Sequence, residues 1–113
     1  GGEQRRDMVF VDDAVEAFLA AAVTPGTAGR ALNVGGDAPY SLAEIAAAMI
    51  AANGGGRCES KEFPPERKRI DIGDFVTDDR QFRALASWAP RTALAEGLKR
   101  SLDYYRRNLA AYL

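Results

Sequence analysis

The sequence predicts an α/β fold, in an α+β-like form in which short strands pack with about four helices. Two features of the pattern lead to this prediction. Short apolar runs rich in β-branched residues alternate with longer segments whose apolar residues recur every three or four positions. The first two runs are separated by a helical segment. Parallel strands require a crossover of this kind, so the pattern allows a parallel pair.

The N-terminal part of the chain is predicted to form two strands joined by a helix. The strands cover residues 8–11 (MVFV) and 31–34 (ALNV). Between them, Asp12 and Asp13 can cap a helix that residues 24–26 (TPG) end. The apolar residues that share one face of this helix are Val15, Phe18, Leu19 and Ala22.

The second helix has the clearest start signal in the chain. Glu44 follows Ser41 at the spacing of a capping box, in which the serine oxygen accepts a backbone N–H and the glutamate reaches back to the cap. Tyr40 and Ile45 stand at the positions of a hydrophobic staple, and residues 53–56 (NGGG) end the helix. Its predicted buried stripe is Leu42, Ile45, Ala46 and Met49.

The C-terminal part is predicted to hold extended pieces and two further helices. The extended pieces cover residues 58–63 and 70–76. Residues 78–81 (DDRQ) resemble a second capping box and open a short helix, and Thr92 is predicted to cap the last helix. The apolar and aromatic residues spaced by threes and fours along that last helix are Leu94, Leu98, Leu102, Tyr105, Leu109 and Tyr112.

Length and composition exclude several classes of protein. The chain has 113 residues, 47% of them hydrophobic, so residues 1–113 are expected to form a single domain with one core. The net charge of −1 argues against a nucleic-acid-binding module. No apolar stretch is long enough to cross a membrane. The lone Cys58 cannot form an internal disulfide, and we expect a cytoplasmic protein.

The residue types also limit the chemistry. The chain contains no histidine, which removes histidine acid–base catalysis, Ser-His and Cys-His nucleophiles and nearly all zinc sites. Cys58 is predicted to be a small buried hydrophobe. We expect no metal site, because the acidic set does not have the spacing of a calcium loop and two of its members look like helix caps. That set is Asp71, Asp74, Asp78 and Asp79.

Two features could bind phosphate. Gly35 and Gly36 lie between a strand and a helix, where a phosphate-binding loop would lie, but the third glycine is missing and a tight turn is the favoured interpretation. Arginines precede two extended segments, with Arg6 before the first and Arg67 and Arg69 before the one at 70–76. Guanidinium groups projecting from strand ends into a cleft suit a diphosphate, and solvated surface charge is the alternative.

Several motifs together resemble a known family. They resemble, in order, the motifs of the NAD-dependent nucleotide-sugar epimerases and dehydratases, which are extended short-chain dehydrogenase/reductases. The resemblance spans nearly the whole chain and corresponds to the C-terminal part of these extended Rossmann-type enzymes. The motifs are residues 4–13 (QRRDMVFVDD), 33–36 (NVGG), 41–45 (SLAEI), 72–76 (IGDFV) with Asp78, 88–92 (WAPRT), 94–98 (LAEGL) and 104–106 (YYR).

The parts of the family that carry catalysis are missing from this sequence. It has neither the Gly-rich dinucleotide loop nor the catalytic Tyr-x-x-x-Lys, so no catalytic residue is expected in it. The resemblance implies that an N-terminal Rossmann domain, absent from this chain, binds NAD and performs the hydride transfer. Residues 1–113 would then be a fragment that binds the nucleoside-diphosphate sugar, holds no NAD and is inactive alone. The parent enzyme is expected to be a homodimer.

The resemblance also implies roles for individual residues. Arg6 matches the family arginine that meets the diphosphate, and Asp74 lies in a Gly-Asp motif near the nucleotide. Many members have an arginine where this chain has Asp71, so either Arg69 or Arg67 compensates or the substrate differs.

Two rival hypotheses remain at the level of the sequence. The chain could be a stand-alone, non-catalytic binding or interaction module, or a soluble α/β fold whose arginines are only surface charge. The fragment hypothesis has a corollary: a face that packs against a missing domain leaves an exposed apolar patch, through which we expect self-association.

Overall fold

The computed structural model describes residues 2–62, Pro64 and residues 72–113. Within them, the predicted α/β class with four helices is confirmed. The predicted sites at Arg67 and Arg69 lie outside the described residues. The elements are β1 (Arg5–Asp7), α1 (Val11–Val23), β2 (Pro39–Ser41), α2 (Leu42–Asn53), α3 (Arg80–Ala86), α4 (Leu94–Asn108) and a 3₁₀ turn (Leu109–Ala111).

In the described residues, the sheet is not the parallel pair that the sequence pattern allowed. β1 and β2 are antiparallel, with Arg6 opposite Tyr40, and Phe75 adds a parallel bridge on Arg6. In the described part of the chain, residues 31–34 form no strand, because an apolar run becomes a strand only where a neighbour completes its hydrogen bonds. The run at 8–11 is also not a strand, since α1 begins at Val11.

Helix α1 begins without a side-chain cap. Phe10 is its N-cap residue, and Asp12 and Asp13 lie inside the first turn, so the predicted capping role of the two aspartates is wrong. Carboxylates in the first turn still complement the positive end of the helix. Asp13 has a further use, because its buried carboxylate accepts a hydrogen bond of 2.9 Å from the backbone N–H of Thr92.

Helix α2 begins as predicted. The backbone N–H of Glu44 donates to Ser41 Oγ at 3.1 Å, and Glu44 Oε2 accepts from the backbone N–H of Ser41 at 2.7 Å. Gly54 ends the helix with φ +76°, a conformation that favours glycine. The predicted buried stripe is wrong in part. Ile45 is buried, whereas Leu42 and Met49 are exposed.

The two C-terminal helices start without the predicted caps. The predicted box at residues 78–81 is wrong in position, because Asp79 and not Asp78 is the N-cap of α3 and makes no capping bond, although Asp78 Oδ1 accepts from the Arg80 N–H at 3.2 Å. Helix α4 follows Ala93 instead of Thr92. The reason is the same in both cases: the polar groups are committed to distant partners. The Asp79 carboxylate accepts from the Gly35 N–H, and Thr92 is hydrogen-bonded to Asp13.

The core is small. Ala17, Phe82 and Trp88 form its buried cluster, in which the two aromatic rings lie 5.5 Å apart at a tilted angle. Cys58 is exposed, so its predicted burial is wrong. Within the residues that the structure describes, no helix has the length and apolarity to cross a bilayer.

The bond between Asp13 and Thr92 predicts a pH-dependent contribution to stability. Burial raises the pKa of Asp13, but hydrogen bonds from the Thr92 and Arg91 backbone and the Thr92 hydroxyl outweigh it, so the pKa lies below the ordinary 3.8. Because the pKa is lower in the folded state, the ionised Asp13 carboxylate stabilises the fold at pH values above 3.8. This stabilisation is lost as the pH falls through the folded-state pKa.

We therefore expect Asp13→Asn to lower the free energy of unfolding at pH 7 by about 1–3 kcal/mol, with a difference that shrinks below pH 4. Denaturant unfolding at several pH values measures this. The matched control is Asp37→Asn, an exposed carboxylate bonded to Tyr40, which should change stability little. An undiminished difference at pH 2–3 would contradict the assignment.

Candidate functional site

Arg6 occupies the centre of a narrow sheet. Its backbone pairs with Tyr40 on one side and Phe75 on the other. Its Nη1 donates to the carbonyl oxygens of Gly73 and Arg5, both at 2.7 Å. These bonds engage one of three guanidinium nitrogens, and no carboxylate among the described residues forms an ion pair with Arg6. Arg6 is therefore a half-buried cation whose remaining donors can serve an anion.

Asp74 lies beside the strand that carries Arg6, and we call the surface formed by Arg6 and Asp74 the cationic edge. Its Oδ1 accepts from the backbone N–H of Arg5 at 2.8 Å, and the Phe75 N–H donates to the Arg5 carbonyl at 3.0 Å. Gly73, which precedes Asp74, has φ +65°, a conformation that favours glycine. The structure thus brings Arg6 and Asp74 together, while Arg67 and Arg69 lie outside the described residues.

Asp7 is a linking residue that sequence reasoning missed. Its Oδ2 accepts from the Gly36 N–H, and its Oδ1 accepts from both the backbone N–H and the hydroxyl of Thr77, all at 3.2 Å. Burial raises the pKa of Asp7, but these hydrogen bonds outweigh it and hold the pKa below 3.8. The local sequence does not indicate this role of Asp7, because its partners lie 29 and 70 residues away. Its position directly after Arg6 is the feature that could have drawn attention to it.

The turn at Gly35 and Gly36 is built for packing. Its two N–H groups donate to the carboxylates of Asp79 and Asp7, and the Gly36 carbonyl accepts from Arg83 Nη2 at 3.0 Å. Donors already bound to carboxylates cannot cradle a phosphate at the same time. The phosphate-loop alternative therefore does not fit the structure, and the chain bends at residues 37–38, directly after the two glycines.

The described members of the acidic set, which the sequence placed at Asp71, Asp74, Asp78 and Asp79, bind different partners and do not form one cluster. Asp78 pairs with Arg80, two residues further along the chain, whose hydrogen bonds lower the pKa of that carboxyl to about 2. Asp79 pairs with Arg83 at 2.6 Å, and Asp71 lies outside the described residues. No group of three or more potential metal ligands occurs in the part of the chain that the structure describes.

Helix α1 packs in the core through a small residue, Ala17, and leaves its large apolar residues exposed. Asp12 and Glu16 are exposed as well, and they form ion pairs with Arg100 and with Arg91 (3.5 Å). Its large apolar residues face solvent, with Phe18 exposed by 78%. This outer face of α1 consists of Val11, Val15, Phe18, Leu19 and Val23.

Beside this face lies an apolar groove of about 600 Å³, lined by α1, by residues between 24 and 34, and by Phe82. Neither Arg6 nor Asp74 lines it. The exposed apolar patch expected from the sequence is therefore present, and it is separate from the cationic edge.

The chain is similar in sequence to known epimerases and dehydratases. No protein-family model matches it. It is 35% identical over 105 residues to a UDP-glucose 4-epimerase from Mycolicibacterium smegmatis, an alignment covering 93% of this chain and 32% of that enzyme. It is 28% identical over 117 residues to a dTDP-D-glucose 4,6-dehydratase from Mus musculus, covering 95% and 31%. The chain is a relative of the nucleotide-sugar epimerases and dehydratases.

A solved epimerase structure has the same fold as this chain. The UDP-glucose 4-epimerase from Thermotoga maritima, solved with UDP-glucose, superposes with a TM-score of 0.81 at 26% identity, over 96% of this chain and 33% of that one. Other solved neighbours were determined in complex with NAD. The predicted resemblance to this family is confirmed, and the chain spans about a third of the length of the epimerases and dehydratases it matches.

The packing of the glycine turn predicts a large effect from one added methyl group. A Cβ at Gly36 would collide with the Met8 carbonyl oxygen, so we expect Gly36→Ala to lower the free energy of unfolding by about 2 kcal/mol or more. Denaturant unfolding measures it. The matched control is Gly97→Ala, where the nearest atom is 3.1 Å away on the movable Phe10 ring and α4 gains helix propensity. Equal losses for the two variants would contradict this account.

Proposed function

We propose that this chain is the part of a nucleotide-sugar epimerase or dehydratase that binds the nucleoside diphosphate of its substrate, and that it is inactive alone. The observation that carries the proposal is the setting of Arg6. Its guanidinium is oriented by two carbonyl oxygens, which leave its charge intact, and no described carboxylate neutralises it. A half-buried cation of this kind favours an anionic ligand.

The chemistry of a diphosphate suits this edge. The planar guanidinium can donate two parallel hydrogen bonds to phosphate oxygens, which fixes orientation as well as charge. One guanidinium does not balance both phosphates, so the proposal includes Arg69 and Arg67 as further sources of positive charge. Asp74 is exposed on the same edge, near the position proposed for the nucleotide. The Thermotoga maritima relative solved with UDP-glucose supports this substrate class.

NAD belongs to the proposed parent enzyme and not to this chain. When bound, NAD supplies a hydride acceptor for oxidation of the sugar. The turn at Gly35 and Gly36 does not fit its diphosphate, because both N–H groups are bonded to carboxylates. We therefore assign NAD to a separate dinucleotide-binding domain. The NAD complexes of solved neighbours support a nicotinamide cofactor in the whole enzyme.

The outer face of α1 is the surface that we assign to that domain. A helix with apolar residues around most of its circumference is typical of the interior of a larger protein. Here one side of α1 already packs on the core at Ala17, so the exposed large apolar residues are left for a partner surface. The proposed whole enzyme is a homodimer, and the exposed thiol of Cys58 fits the reducing cytoplasm that we propose for it.

Arg6→Ala tests the proposed function in the full-length protein. A thermal-shift screen of uridine, thymidine, guanosine and cytidine diphosphate sugars selects the ligand, and calorimetry measures its affinity. We expect Arg6→Ala to weaken binding by about tenfold or more, since a charge-assisted hydrogen-bonded pair is lost.

The matched control is Arg57→Ala, because Arg57 is exposed and pairs with Glu59. Its affinity should equal that of the wild type. Failure of the wild-type protein to bind any of these ligands would overturn the proposed function, and an unchanged affinity of Arg6→Ala would overturn the role of Arg6.

The outer face of α1 predicts self-association of the 113-residue chain in isolation. Exposed apolar patches of this kind drive association, so sedimentation should detect oligomers that a Phe18→Ser, Leu19→Ser variant loses. Leu113→Ser is the matched control, because it removes an exposed leucine far from this face in sequence. A monomeric wild-type chain, or equal association of all three proteins, would contradict the prediction.

A further inference from the structure

Asp7 connects the two segments that flank the cationic edge. It ends β1, directly after Arg6, and its carboxylate binds Gly36 with one oxygen and Thr77 with the other. Because successive side chains of a strand point to opposite faces, Asp7 acts from the face of β1 opposite Arg6. It therefore influences the proposed diphosphate site without touching the ligand.

The segment from Gly73 to Thr77 is fastened to β1 at both ends. At one end, Asp74 Oδ1 accepts from the Arg5 N–H at 2.8 Å. At the other end, Asp7 Oδ1 accepts from the backbone and the hydroxyl of Thr77. The Gly73 carbonyl that orients Arg6 belongs to this segment, so its position depends on both attachments.

The surroundings of Asp7 are shaped for this bridging role. A Cβ at Gly35 would lie 2.6 Å from Asp7 Oδ2, so the missing side chain leaves the space that the carboxylate occupies. The turn that carries Gly36 is held from the other side by Asp79 and Arg83. Asp7 therefore joins a fixed turn to the segment that carries Asp74.

We infer that Asp7 is a positioning residue, which holds the segment 73–77 against β1 so that Arg6 and Asp74 keep the arrangement needed to bind a nucleoside diphosphate. This inference rests on the proposed function. It predicts that loosening the Thr77 attachment weakens nucleotide binding while the rest of the fold persists.

The test compares Thr77→Val with Thr77→Ser in the full-length protein. Valine keeps the shape of threonine and removes the hydroxyl donor to Asp7, whereas serine retains it. We expect valine to weaken binding of the selected nucleoside diphosphate several-fold in calorimetry, and serine to restore wild-type affinity. Asp7→Asn, which also removes the charge, should weaken binding by about tenfold or more. Affinity for NAD should remain unchanged in all three variants.

Hydrogen exchange adds a readout that a general loss of stability does not mimic. The Phe75 and Thr77 amides should exchange faster in Thr77→Val, while the Gly54 amide at the end of α2 keeps its wild-type rate. Asp78→Asn is the matched control, since among the described residues its exposed carboxylate bonds only to Arg80, two residues further along the chain.

The outcomes separate the two proposals. If the wild type binds the nucleotide and Thr77→Val binds it equally well, the inference about Asp7 is overturned and the proposed function stands. If serine fails to restore affinity, or if NAD affinity falls in parallel, Asp7 has a structural role only. If the wild type binds no nucleotide, the proposed function itself fails. Should Asp7→Asn not fold, the two Thr77 variants still decide.

Discussion

The attachment of residues 73–77 to β1 is the contact on which the architecture of the described chain depends. β1 is three residues long, and strands this short are not stable alone. Its backbone is completed on one side by β2 and on the other by Asp74 and Phe75, about 70 residues away in the sequence. The start and the C-terminal half of the chain are thereby joined in one small sheet, and the cationic edge exists only because this closure occurs.

Carboxylates do most of this joining. Asp7, Asp13 and Asp79 each accept a backbone N–H from a segment far along the chain, at Thr77, Thr92 and Gly35 respectively. A buried N–H must find a partner, and a carboxylate is a strong one. With a buried cluster as small as Ala17, Phe82 and Trp88, such bonds contribute the specificity that a larger apolar core would otherwise provide.

The range of an interaction decided which features could be predicted from sequence. The capping box of Ser41 and Glu44 was predictable because both partners lie within one helical turn. The role of Asp79 could not be predicted. Its position suggests a helix cap, and nothing in the local sequence indicates that its carboxylate binds Gly35, 44 residues away. The run at 31–34 has the composition of a strand, but pairing depends on a neighbour that composition does not specify. The meeting of Arg6 and Asp74 was implied by the family resemblance and by no spacing rule.

The exposed surface of helix α1 offers two kinds of contact that respond oppositely to salt. Its ion pairs with Arg91 and Arg100 are screened by dissolved ions. Its apolar side is suited to contacts that salts such as sulfate strengthen. A sulfate salt therefore weakens the exposed ion pairs and strengthens any contact that covers Phe18, while the buried Ala17 and Asp13 keep the helix on its own core.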